Sequence, residues 1–169
     1  IEGTQIPSGL IHEFATRSEP ELAYDPRRHQ GSVVLVRRVD YFGFELQRDA
    51  EPVDRFPVDL APRARALLAE ALARGESRHP AARRNQPAIE NVREAWRRSG
   101  GRTARLGLPE LTAFYERAQG RVSSMQDFSR APLRFDPDVF VSAEERARLG
   151  RLPARANLRG HPVEIHYDV

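Results

Sequence analysis

Hydrophobic periodicity switches twice along this 169-residue chain, and those switches constrain the fold class more than any composition figure does. The first third carries β-branched and aromatic runs, Ser32-Val33-Val34-Leu35-Val36 and Tyr41-Phe42-Gly43-Phe44-Glu45-Leu46, the residue types that suit a pleated surface. Val39-Asp40 gives a tight link, so 32–47 is read as a hairpin. Leu10–Thr16, Glu21–Asp25 and Phe56–Leu60 are read as shorter strands. Between Asp25 and Gly31 the Pro early and Gly late mark a turn.

The middle then repeats apolar residues at helical spacing. Leu60, Ala64, Leu67, Leu68, Ala71 and Leu72 form one stripe, with Asp59 as N-cap and Gly75 as stop. Residues 76–87 read as a polar connection bracketed by Pro80 and Pro87. Ile89, Val92 and Trp96 mark a second helix closed by Gly100-Gly101. Leu111, Phe114, Tyr115 and Ala118 mark a third, opened by Pro109, and Val122, Met125 and Phe128 a short fourth. The last third holds the capping box Ser142-Ala143-Glu144-Glu145 and then two short strands. Leu158 lies in the first, and alternating Val163, Ile165, Tyr167 and Val169 mark the second as half-buried.

Strands, helices, then strands imply an α+β fold with antiparallel pairing, and a late strand returning to the early sheet would unify it. Three stretches are expected: a β-rich subdomain over 1–62, a helical basic one over 63–130, and a small helix with closing strands over 131–169 packing on the first. The start at Ile1, the lone Met125 and the end within an alternating run lead to the expectation of one compact fragment of a larger protein.

Composition narrows function mainly by exclusion. Hydrophobic residues make up 40% and charged residues 30%, as in soluble globular proteins. No apolar run reaches the roughly 18–20 residues of a membrane span, so no membrane partner is expected, and the cysteine-free chain fits the cytoplasm. Without lysine no phosphate-loop motif can form. The five histidines do not converge at metal-ligand spacing. Asp136/Asp138 and Glu144/Glu145 suit turn and helix-start duty. No catalytic residue, metal or cofactor is assigned. His29, His161 and His166 are the only candidates for the imidazole base of an unrecognised hydrolase.

All 27 basic residues are arginine. A GC-rich genome explains the missing lysine, but not the uneven placement of the arginines. Residues 63–105 hold eleven arginines against four acids, a footprint that suits a polyanion. A solvated helical face is the plainer explanation. Arg83, Arg84, Arg93, Arg97, Arg98, Arg102 and Arg105 form the densest basic stretch, with Arg83-Arg84 in a loop, an arrangement suited to phosphate contact without sequence readout. On the hairpin, Arg37 and Arg38 precede Tyr41, a candidate base-stacking ring. Phe42, Phe44 and Leu46 alternate onto the opposite face, which is read as core.

The runs Tyr24-Asp25-Pro26-Arg27-Arg28, Val33 to Arg38 and Tyr41 to Leu46 resemble the strand–turn–strand opening the C-terminal accessory region of HrpB/HrpA-type bacterial DEAH-box helicases. Glu144 to Leu152, with Leu158, Gly160, Val163 and Tyr167, is similar to the small helix and final strands of that region. The resemblance implies a non-catalytic accessory domain beside an ATP-driven, DEAH-type motor. Such a domain would contact RNA or single-stranded DNA. The alternative is a docking module that packs its arginines against the rest of its parent protein.

Overall fold

Strand β3 (Ser32–Tyr41) organises the N-terminal sheet of this computed structural model, which describes residues 14–28 and 31–167. Its Val33, Val34 and Val36 are all buried, so both faces of its first half are covered. Such a strand reads as a continuous apolar run rather than an alternation. It pairs antiparallel with β1 (Thr16–Arg17) and β2 (Glu21–Asp25) on one edge and with β4 (Phe44–Pro52) on the other. The β2–β3 turn is closed by Gly31, whose N–H donates to the Arg28 carbonyl at 2.8 Å, while the Asp25 carboxylate accepts from the Arg27 N–H.

The β3–β4 hairpin turns three residues later than Val39-Asp40. Its loop is Phe42-Gly43, both at positive φ (46° and 83°), the geometry of a type I′ turn. Leu46 has no register partner, which makes a bulge in β4 opposite Val39 and Asp40. Phe56–Leu60 forms no strand. It leads into helix α1 (Ala61–Ala73), whose first turn hangs on the Pro57 carbonyl, which accepts from the Leu60 and Ala61 N–H groups. Gly75 ends α1 in the left-handed region, with the Glu76 N–H returning to the Ala71 carbonyl.

The largest departure from the sequence reading lies at 76–87. Helix α2 spans Pro80–Arg98, so the polar connection shrinks to the few residues before Pro80. Pro80 takes the first helical position, where its missing N–H costs nothing, and the His79 Nδ1 caps the Ala81 N–H at 3.1 Å. Pro87 lies inside the helix on its exposed side, where water can reach the carbonyl it leaves unbonded. The buried stripe Ala81, Asn85, Ile89, Val92 and Ala95 keeps helical spacing throughout, but one of its members is polar. Asn85 Nδ2 donates to the Tyr115 hydroxyl (3.1 Å) and to the Leu133 carbonyl (2.8 Å), which makes that burial tolerable.

Helix α3 (Leu108–Gln119), α4 (Met125–Arg130) and α5 (Ala143–Gly150) fall where the apolar spacing and the Ser142 cap place them. The chain is thus α+β, and among the described residues no helix is long and apolar enough to cross a membrane. Two compact units emerge, one of residues 1–68 with 121–130, the other of 69–120 with 131–169. This partition differs from the three stretches expected. Residues 121–130 join the first unit through the Phe56 N–H to Ser123 carbonyl and Met125 N–H to Asp54 carbonyl bonds. The closing strands β5 (Arg155–Leu158) and β6 (His161–Glu164) pair with each other and do not rejoin the first sheet. Every residue of both is exposed, so the expected half-burial of Val163 does not occur, whereas Ile165 and Tyr167 beyond β6 are half-buried as expected. Val169 lies outside the described residues.

Gly31 is fixed by two requirements at once: φ of +74° and a Cβ position 1.8 Å from the Tyr24 hydroxyl oxygen. Gly31→Ala should therefore destabilise the protein by about 2–4 kcal/mol, seen as a lower urea midpoint. A loss below about 0.5 kcal/mol would contradict this close approach.

Candidate functional site

The arginines of the basic stretch occupy two helix ends and a loop, and most of their donors are already used. Arg93 sends Nε to the Leu106 carbonyl (3.2 Å) and Nη1 to Glu90 (2.8 Å). Arg84 donates to the Pro132 carbonyl at 3.0 Å, and it sits with Arg83 in the first turns of α2, not in a loop. Arg102 Nε turns back to the Ser99 carbonyl at 2.9 Å. Arg97 grips one oxygen of Glu94 with two nitrogens, at 2.9 and 2.7 Å.

Arg98 is the most committed of them. Nε reaches the other Glu94 oxygen at 2.6 Å, and Nη1 lies within 3.0–3.3 Å of the Leu149, Gly150 and Leu152 carbonyls. These carbonyls end α5, where backbone acceptors lack intrahelical donors and a cation suits the dipole. The ring of Tyr167 lies 5.7 Å from the same guanidinium carbon. A lysine ammonium has no planar fork that could make this set of contacts.

Two members of the stretch remain available. Arg105 is exposed and lies over the Trp96 ring at 5.8 Å. Arg83 is exposed and lines a groove at the start of α2 together with exposed Arg78. On the hairpin, Arg37 faces Glu51 at 3.7 Å, while Arg38 bonds Glu21 and lies 3.8 Å from Glu45. Of the histidines, His29 lies outside the described residues, and His166 stands 3.9 Å from Glu164 on an exposed segment.

The residues read as core on the hairpin are instead exposed. Phe42 is 80% exposed, Phe44 73% and Leu46 44%. The sheet explains why. Among the described residues β2 pairs only with Ser32–Val36 and β1 only with Val39–Asp40, so from Tyr41 to Phe44 the hairpin extends beyond every described neighbouring strand. Register then sorts the end of the hairpin into two faces. Tyr41 is opposite Phe44 on one, and Asp40 is opposite Glu45 on the other. Tyr41 also meets the Phe42 ring edge-on, with centroids 4.8 Å apart. Alternation alone had implied a buried face. The missed signal was Phe before Gly at a type I′ turn, where Asn or Asp is the usual choice.

Comparison with known protein families, with curated proteins and with solved structures finds no match for this chain.

The Glu94 carboxyl is held below its ordinary range by the hydrogen bond from Arg98, with burial opposing and Arg97 adding a second bond. A depressed folded pKa means that the linked stability is present above about pH 4.3 and is lost as pH falls through the folded value. Glu94→Gln should therefore cost about 0.5–1 kcal/mol near neutrality, a figure discounted for the carboxylate's 39% exposure. At about pH 2.5 the cost should vanish. Urea unfolding at both pH values checks this, and an equal cost at each would refute the linkage.

Proposed function

We propose that this chain is a non-catalytic binding module that docks on a protein partner through the exposed end of the β3–β4 hairpin. The observation that carries this reading is Phe42. It is a bulky residue held at φ +46° and left 80% in solvent. Left-handed backbone at a non-glycine residue costs on the order of 1–3 kcal/mol. An exposed phenylalanine also forgoes roughly 1.5–3 kcal/mol of burial. Beyond the edge contact with Tyr41, folding gains nothing from either. A partner that covers the ring recovers the burial, and aromatic anchors of this kind dominate binding energy at interfaces. Phe44 and Leu46 extend the patch, and contiguous exposed apolar surface commonly marks an interaction site.

The reading predicts opposite effects on stability and binding. Phe42→Asn places a residue that tolerates the left-handed region at the turn. It should raise the stability of the free protein by about 0.5–1.5 kcal/mol in urea unfolding. The same variant should lose co-purification of the partner held by the wild-type chain. A destabilisation above about 1 kcal/mol would show the ring to be part of the fold and would sink the proposal.

A second reading is an accessory domain of a helicase-like protein, contacting RNA or single-stranded DNA. It is favoured by the exposed arginines Arg78, Arg83 and Arg105, the last on a tryptophan face. Three free cations correspond to a log affinity–log salt slope of about −2 for single strands. Fluorescence anisotropy of a labelled 20-nucleotide RNA should show that slope, and it should flatten in Arg78→Ala/Arg83→Ala. Lack of binding at low salt would eliminate this reading.

A further inference from the structure

We infer that the partner of the hairpin end is a protein with an apolar pocket whose rim carries arginine or lysine. This rests on the docking reading above and adds the partner's chemistry to it. The end of the hairpin is two-faced. Tyr41 and Phe44 are register partners on one side, with Phe42 at the tip, and Asp40 and Glu45 are register partners on the other. Carboxylates directly opposite across an antiparallel pair repel each other, so this arrangement costs the free protein something. Glu45 has a distant cation, Arg38 at 3.8 Å, which is also committed to Glu21. Asp40 makes no ion pair or side-chain hydrogen bond with any described residue. The cations of this face, Arg38 and Arg48, stand opposite each other on the next pair away from the tip.

A body that covers the aromatic face and reaches past the tip therefore meets carboxylates at its edge. Cations placed there would relieve the Asp40–Glu45 repulsion and pair with a carboxylate that has no internal partner. Such complementary rim charges set encounter rate and specificity, while the aromatic plug sets the residence time. A nucleic-acid backbone is disfavoured at the same place, because its phosphates would approach two carboxylates.

The test begins with benzoylphenylalanine at position 42 of the full chain, photolysed in its native cells. The crosslinked protein is then purified and titrated with unmodified chain by calorimetry at two salt concentrations. Phe42→Asn should weaken binding by about 30-fold or more, and Phe44→Thr, which keeps strand propensity, should act in the same direction. Asp40→Asn should leave the unfolding midpoint unchanged or higher. It should weaken binding about 3–10-fold at low salt, with a smaller loss at high salt. If Phe42→Asn abolishes binding while Asp40→Asn leaves affinity and salt dependence intact, the docking reading stands and the basic rim is overturned. If Phe42→Asn binds normally, or position 42 crosslinks only to RNA, to lipid or to nothing, both are overturned.

Discussion

The second unit depends on one guanidinium. Arg98 sits in the last turn of α2 and meets the carbonyls that end α5, while its Nε fixes Glu94 one turn back. A helix C-terminus buried against another helix needs donors for several acceptors clustered in a small volume. A forked cation supplies them from a single position. Arg93 and Arg84 repeat the device at shorter reach, on the Leu106 and Pro132 carbonyls. The arginine-rich middle of the chain is thus in large part scaffolding. Its formal charge survives, but the geometry of its donors is already set.

That result shows why charge counting alone overstates how many arginines are available to a ligand. Eleven arginines against four acids is a correct statement about residues 63–105. It treats carboxylates as the only internal competitors for a guanidinium. Backbone carbonyls at helix ends and in the segments leading into helices are equally good acceptors, and no pattern in the sequence marks which of them fold next to which arginine. Only Arg83 and Arg105 of the seven come through as available. Neither makes a hydrogen bond or ion pair with a described residue, which is a tertiary fact.

Local signals carried most of the architecture. Glycine stops at 75 and 100–101, the Pro109 start and the Ser142 cap each act over a few residues, and each falls where its chemistry places it. The failures came where a long-range partner overrides local character. Asn85 looks like a loop residue until Tyr115 and Leu133 supply its acceptors, 30 and 48 residues away. With Asn85 satisfied, α2 can start at Pro80 and carry Pro87 on its wet side. The β5–β6 ribbon failed in the opposite sense. Its alternation looks like half-burial, yet Val163 stays exposed and only Ile165 and Tyr167 beyond β6 are partly covered.

The same distinction gives the β3–β4 hairpin its meaning. Alternation states that Tyr41 and Phe44 share a face, but it does not state what lies over that face. In the first half of β3, where β2 and β4 flank the strand, the valines are fully buried. Beyond Asp40 no strand among the described residues pairs with β3 except β4, and the chain continues with aromatic residues at a turn that normally selects small polar ones. A sequence shaped by folding alone would switch to Asn-Gly and alternate with charge. This one keeps three apolar side chains exposed and sets two carboxylates behind them. On the docking reading proposed above, the constraint acting on the hairpin end lies outside the chain's own core, in the partner surface that would cover it.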